Sequence, residues 1–332
     1  MAGETALVDR FGRRHRSLRL SVTDRCNLRC SYCMPAEGAE FVPRSTLLTF
    51  EEITRVVTLV SCRYGIHDVR LTGGEPLVRR ELPKLVKMLA EIPSVKDLSL
   101  TTNAMLLESM AVPLRSAGLT RLNISIDTLD EVTFETLTRR KGFHSVLRGI
   151  DAAIAAGFER IKLNTTAIRG VTEKEVVRLV NFAIEKGVQI RFIEFMPLDA
   201  DRNWTHGGVL RGDEIRQIIE SHFGTLTECG DRDSQPATDY LLNQEVSVGL
   251  IESVSKPFCD ACDRIRLTAD GSIRNCLFSQ QEFHLRELLR GGADDEAILE
   301  QFTNAIAAKA ASHAIGEAGF SQPQRPMYSI GG

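Results

Sequence analysis

Leu18-Arg-Leu-Ser-Val-Thr23-Asp-Arg-Cys26-Asn-Leu-Arg-Cys30-Ser-Tyr-Cys33 joins an alternating run to three cysteines within eight residues. From 18 to 23 apolar and polar side chains alternate, the period of a half-buried strand. The cysteines follow at once, spaced C-x3-C-x2-C. Thiolates this close in sequence converge on one metal centre. Their number is informative. A cubane 4Fe–4S cluster has four irons, so three ligands leave one iron open to a small molecule. A structural zinc site takes four closed ligands, most often from two CxxC-like pairs. Zinc or plain redox thiols are the alternatives. The x3 gap, the lack of a fourth ligand nearby and Tyr32 between the last two cysteines favour an open-iron cluster.

Outward from this stretch, strand-like runs recur at 68–72, 97–102, 121–126, 160–166 and 189–196. Between them, 50–64, 80–91, 106–117, 131–156 and 173–186 carry helical periodicity and good helix formers. Gly65, Gly118, Gly157 and Gly187 stand where those helices should stop. Alternating β and α units imply a parallel sheet. Six units without a dinucleotide-binding glycine fingerprint predict an α/β fold, an incomplete (β/α)6 TIM-like barrel. A smaller C-terminal α+β domain would cover its open side.

Parallel strands buried on both faces read as near-continuous apolar runs. These do not. Leu18, Leu20, Val69, Leu71, Leu98, Leu100, Leu122, Ile124, Ile161 and Leu163 alternate with Arg19, Ser21, Arg70, Ser99, Thr101, Asn123, Ser125, Lys162 and Asn164. One face packs on helices, and the other lines a lumen wide enough for polar ligands. Arg19, Arg70 and Lys162 share that lining. Three buried cations repel one another unless an anion answers them. Asp127 or Glu194 would serve as ion-pair partners; a polyanionic substrate such as a triphosphate is the functional alternative.

Composition sets limits. The chain has 332 residues, 43% of them hydrophobic, and a net charge of −3. It has room for a large α/β domain and a smaller one. No overall basicity points to nucleic acid, no apolar run approaches the ~20 residues of a membrane span, and the start lacks an apolar signal core. The expectation is a cytoplasmic protein. Its eight cysteines then suggest metal ligands rather than disulfides, with Cys62 and Cys229 as ordinary residues.

From Pro197 to Gly212 the chain reads as a loop, a lid or a surface segment, with a helix near 213–222 after it. A domain change is expected near 227, giving 10–226 as the barrel and 227–332 as the second domain. That domain holds Phe258-Cys259-Asp-Ala-Cys262-Asp-Arg264-Ile-Arg266-Leu-Thr, and then Cys276: C-x2-C-x13-C. Again there are three cysteines. The nearest histidine, His284, falls on a predicted helix, so a second three-ligand 4Fe–4S cluster is favoured over zinc. Arg264 and Arg266 share one face of a strand-like run. The tail from Pro323 to Gly332 is short of helix formers and reads as flexible.

The first triplet resembles the C-x3-C-x-aromatic-C signature of the radical S-adenosylmethionine (SAM) enzymes, and Gly73-Gly74-Glu75-Pro76 is similar to that superfamily's GGEP motif. Together with FCxxCxRIRLTADGxIRxC and the terminal Gly331-Gly332, they resemble the GTP 3′,8-cyclase family, which opens molybdenum cofactor biosynthesis. The resemblance spans about residue 7 to the C-terminus. It implies the partial barrel, SAM and two 4Fe–4S clusters, with Cys26, Cys30 and Cys33 on the first and Cys259, Cys262 and Cys276 on the second. Tyr32, Gly74, Ser125 and Met196 would contact SAM. Arg19, Arg70, Thr101, Lys162, Arg264, Ile265 and Arg266 would contact GTP, with Arg19, Arg264 and Arg266 as catalytic residues. In the chemistry it implies, a 5′-deoxyadenosyl radical removes the ribose 3′ hydrogen and the 3′ carbon attacks guanine C8. The double glycine would reach into the active site. Partners would be GTP, an electron donor such as flavodoxin or ferredoxin, and the downstream cyclic pyranopterin monophosphate synthase, with a homodimer left open. One departure stands out: the family commonly has Asn where this chain has Asp263.

Two rival readings predict other features. A peptide-modifying radical SAM enzyme would carry seven or more C-terminal cysteines and no shared cation cavity. A zinc-binding interaction module would cleave no SAM.

Overall fold

A computed structural model describes residues 5–230, 232–243 and 246–331. Six βα units begin with the strand that leads into the first cysteine triplet. They run β1 (Ser17–Ser21), α1 (Phe50–Tyr64), β2 (Asp68–Thr72), α2 (Leu82–Ala90), β3 (Asp97–Thr102), α3 (Leu107–Ser116), β4 (Arg121–Ser125), α4 (Glu131–Thr138), α5 (Phe143–Ala155), β5 (Arg160–Ala167), α6 (Val176–Lys186), β6 (Gln189–Glu194) and α7 (Gly212–Phe223). The remainder supplies β7 (Leu226–Glu228), β8 (Thr238–Leu242), β9 (Val246–Ile251), β10 (Arg264–Leu267), β11 (Ser272–Arg274), β12 (Phe283–His284), α8 (Arg286–Arg290), α9 (Asp295–Ala307) and α10 (Met327–Ile330).

All twelve strands form one sheet, ordered β12-β11-β10-β1-β2-β3-β4-β5-β6-β9-β8-β7. Neighbours among β1–β6 pair in parallel. Among the described residues β12 and β7 do not meet, so the barrel stays open. The C-terminal strands extend the sheet at both edges, where the sequence suggested a separate covering domain. β10 pairs in parallel with β1, and β9 in parallel with β6. Hydrogen bonds left free at both barrel edges are thereby satisfied.

The alternation read from sequence is realised. Leu18, Leu20, Val69, Leu71, Leu98, Leu100, Leu122, Ile124, Ile161 and Leu163 are buried in one core with the inward faces of the helices. Thr49 and Glu52 form a reciprocal cap at the start of α1, and Gly65, at φ 67°, ends it. One helix was expected over 131–156, but two form. Arg139 at φ 54° and Gly142 at φ 129° break it between α4 and α5, because left-handed backbone cannot continue a right-handed helix. His284, expected on a helix, lies on β12 and hydrogen-bonds Ser272 through Nδ1 at 3.0 Å.

Candidate active site

The polar face of the sheet encloses a cavity of about 340 Å³, within the range of about 300–1,000 Å³ usual for a ligand pocket. All six grouped cysteines line it, and none is in a disulfide. Cys62 is exposed on α1, and Cys229 is half-buried outside the cavity.

The first triplet sits on the loop after β1. The double glycine, expected to approach a ligand, approaches this loop: Gly74 N donates to Thr23 O at 2.8 Å and Glu75 N to Arg25 O at 2.7 Å. A Cβ on Gly73 would lie 2.3 Å from Thr23 O, and one on Gly74 2.4 Å from Arg25 O. No side chain fits at either position. Leu28 N donates to Cys26 Sγ at 3.3 Å. Burial and the Glu75 charge push the Cys26 thiol up to about 11. Burial with Cys26 beside it pushes Cys33 up to about 12, and burial with Cys33 and Asp127 beside it holds Cys30 well above the ordinary range. Such thiols ionise at neutral pH only when a metal binds the sulfur and displaces the proton to solvent.

Around this loop, Tyr32 Oη donates to Asp127 Oδ2 at 2.5 Å, and Thr166 N donates to Asp127 Oδ1 at 2.8 Å. Burial raises Glu75 to about 7, although its carboxylate accepts from Leu77 N, Thr102 Oγ1 and Asn103 N. Gly74, Tyr32, Ser125 and Met196 all line the cavity.

A row of arginines faces them. Sheet register places Arg19 opposite Arg266 on one side and Arg70 on the other. Arg70 Nε donates to Ser99 Oγ at 3.2 Å, while Arg19 Nη1 and Arg264 Nε are buried without a hydrogen-bond partner. Burial lowers Arg70 and Arg266 to about 9, Arg264 and Arg19 pushing Arg266 further down. The expected carboxylate partners act elsewhere. Asp127 serves Tyr32 and Thr166, and Glu194 accepts from Gly212 N, Val254 N, Ser255 N and Ser255 Oγ. Charge left uncompensated this deep calls for an anion.

Of the residues singled out for GTP, Arg19, Arg70, Thr101, Arg264 and Arg266 line the cavity. Lys162 is on the same strand face, registered with Asn123 and Gln189, but does not reach the wall. The Ile265 side chain is in the apolar core, leaving only its backbone for a ligand. Arg191 was missed. It lines the cavity with Nε on Asn164 Oδ1 at 2.9 Å and Nη2 on Asn123 Oδ1 at 2.7 Å. The signal was the polar alternation at the start of β6, Gln189 and Arg191 alternating with Ile190 and Phe192.

The second triplet lies in opposite electrostatic surroundings. Burial raises Cys262, but Arg264 and Lys309 outweigh it and bring the thiol down to about 6. Arg264 Nη2 lies 3.5 Å from its sulfur and Lys309 Nζ 3.6 Å. Burial raises Cys259. His313 lines the same wall, but both ring nitrogens are engaged, Nε2 with Ser253 O and Nδ1 with Ile315 N. Among the described residues no three His, Cys, Asp or Glu side chains converge on a single ion. Two sets of three soft donors suit iron–sulfur cubes with one iron left open better than closed four-ligand zinc sites.

The tail corrects the expectation of a segment without helix. Arg325 pairs with Asp270 and Glu282, α10 follows, and Ile330 is buried. Arg266 Nη1 donates to Gly331 O. A Cβ on Gly331 would press on Ser21 Cβ at 3.0 Å and Thr72 Cγ2 at 3.1 Å. Gly332 lies outside the described residues.

Residues 20–183 match the family model of the radical SAM superfamily, and 188–315 that of Molybdenum Cofactor Synthesis C. The GTP 3′,8-cyclase of Rhodopirellula baltica is 54% identical, over 100% of this chain and 94% of that one. That of Paenarthrobacter nicotinovorans is 43% identical, over 98% and 97%. Among solved structures, Streptococcus suis SuiB bound to S-adenosylmethionine aligns with TM-score 0.60 at 14% identity, over 95% of this chain and 75% of that one. Native anSMEcpe with bound AdoMet aligns with TM-score 0.59 at 18% identity, over 86% and 80%. These two likenesses concern the fold.

Proposed function

The chain belongs to the GTP 3′,8-cyclase family of radical SAM enzymes, and from that premise we propose how its residues divide the work. The family's reaction is the first step of molybdenum cofactor biosynthesis, and membership implies a 4Fe–4S cluster and SAM. Cys26, Cys30 and Cys33 would hold that cluster. Cys259, Cys262 and Cys276 would hold a second, which with three protein ligands would leave one iron open to the guanine base. When bound, cluster and SAM supply the 5′-deoxyadenosyl radical that removes the ribose 3′ hydrogen, after which C3′ bonds to guanine C8.

The chain's own residues position and enclose. Tyr32, Gly74, Ser125 and Met196 shape the SAM half, and Glu75, fixed by three donors on the cavity lining, would accept from SAM's amino group. Arg19, Arg70, Arg264 and Arg266 receive the triphosphate. Thr101 and the Ile265 backbone complete the GTP contacts, and Lys162 adds charge from the strand end. Met327 on α10 lines the cavity beside the tail, which helps keep water from a radical. Residues 10–226 carry the SAM half and 227–332 the base-binding half. No helix among the described residues is long and apolar enough to cross a membrane. We place the enzyme in the cytoplasm, where thiols stay reduced. It would draw electrons from a donor such as flavodoxin or ferredoxin and pass product to cyclic pyranopterin monophosphate synthase.

The carrying observation is that both cysteine triplets and the arginine row line one cavity. One hydrogen leaves GTP, and one electron and one proton return, so the product is isomeric with GTP. Anaerobic, iron-loaded protein should therefore move deuterium from [3′-²H]GTP into 5′-deoxyadenosine while forming that isomer, both read by mass after chromatography. Iron-replete protein that leaves the deuterium on GTP would defeat the proposal.

A further inference from the structure

The second triplet is held from outside the cavity by residues with no assigned role. Lys309, just past α9, is 3% exposed and does not line the cavity. Its Nζ donates to Arg264 O at 2.9 Å, lies 3.5 Å from Cys262 O, and lies 3.6 Å from Cys262 Sγ. Among the described residues it has no carboxylate partner. A buried ammonium surrounded by carbonyls and one sulfur lacks a counter-ion unless the sulfur carries charge.

Its position is fixed from the N-terminus. Arg13 Nη1 donates to Cys259 O at 2.8 Å and Ala311 O at 2.9 Å, and Nη2 donates to Ala310 O at 2.7 Å. One guanidinium thus ties the cysteine turn to the segment that bears Lys309. Asp9 holds Arg13 in turn, its Oδ2 accepting from Arg13 Nε at 2.6 Å, with His15 Nε2 at 3.3 Å.

We propose that Lys309 is a positioning residue for the second cluster: it donates a charged hydrogen bond to the Cys262 thiolate and makes that cluster easier to reduce. The inference rests on the reading that Cys259, Cys262 and Cys276 hold a cluster. Hydrogen bonds and positive charge at cluster sulfurs favour the more negative, reduced state. Arg264 touches the same sulfur but faces the cavity, where substrate competes for it. Lys309 faces no ligand, so its effect persists whether or not substrate is bound.

The test uses full-length chain with Cys26, Cys30 and Cys33 changed to Ala, so that only the second cluster assembles. Iron and sulfide should be about four each per chain. If this background binds no iron, the second-cluster reading fails, and Lys309 fails with it. If iron binds, Lys309→Met should lower the ratio of reduced to oxidised cluster about tenfold at a fixed potential, ~59 mV for one electron, followed by electron paramagnetic resonance. Lys309→Arg should return most of that shift. An unchanged potential in Lys309→Met with full iron overturns the proposal. So does iron loss in Lys309→Met that Lys309→Arg does not repair, since that marks a packing role. Iron loss repaired by Arg, with the potential restored, supports it.

Discussion

The two cysteine triplets match in number and share a cavity, yet their surroundings are opposite in sign. Glu75 and Asp127 act on the first, outweighing Arg29 near Cys26, and its Cys26 sulfur receives neutral donors from Leu28 N and Asn103 Nδ2. Arg264 and Lys309 act on the second. Ligand count alone would call them twins. The difference teaches that ligand count sets what metal can bind, while the neighbours set what the bound metal does. An anionic, buried setting suits a centre that gives electrons away. A cationic setting suits one that shares its chamber with a triphosphate.

The sharpest break between them comes from removing one ligand of each. Cys30→Ala should abolish 5′-deoxyadenosine formation and lower iron from about eight to about four per chain. Cys262→Ala should lower iron similarly but leave slow reductive cleavage of SAM without GTP cyclisation. Identical phenotypes would show that the triplets do not act separately.

The support behind the second triplet is next in size. Burial, then Lys309, lowers His15 from 6.5 to about 4. Its folded pKa lies below the unfolded one, so the unfolded state binds the proton first. Stability is complete above about pH 6.5 and is lost as pH falls toward 4, by ~3 kcal/mol in all. His15→Phe should flatten that part of the melting-temperature profile. A variant that loses acid stability as steeply as the parent would remove His15 from the account.

How much of this was legible follows from what each signal measures. Alternation located β1–β6 and their polar face because side-chain direction has period two. The same period runs through Arg191 on β6, yet neither the alternation as read nor the resemblance to known enzymes named it. That resemblance named Ile265, whereas alternation alone puts its side chain in the core, where it lies. The α4–α5 break was missed since both helices keep their periodicity on either side of Arg139. The pairing of β10 with β1 joins residues some 247 apart, and no local pattern encodes such a contact. Lys309 and Arg13 belong to no motif; only the folded chain brings them to Cys262 and Cys259.

The cationic half can be mapped by paired ligands. Arg70→Ala removes a charged donor from the cavity wall and should weaken GTP binding about ten- to a hundredfold, ~1.4–2.7 kcal/mol. Guanosine, lacking phosphates, should lose little. Lys162→Ala should cost GTP less, because Lys162 stops short of the wall. Equal losses for GTP and guanosine, measured by anaerobic calorimetry, would show that Arg70 senses the nucleoside rather than its charge.

The smallest expected effect tests the one family departure. Asp263 precedes Arg264, and its carboxyl is pushed up by burial while Arg264 and Arg19 hold it down. Whatever negative charge it keeps offsets the positive field that receives the triphosphate. Asn at this position keeps an oxygen for the Ser234 hydrogen bond and removes the charge. Asp263→Asn should therefore tighten GTP about two- to fivefold, within the ~1 kcal/mol typical of a single screened charge, and leave guanosine unchanged. The gain should shrink at high salt, where ions screen the same field. An effect that ignores salt, or that guanosine shares, would mean that Asp263 shapes the loop after Cys262 rather than the potential above it.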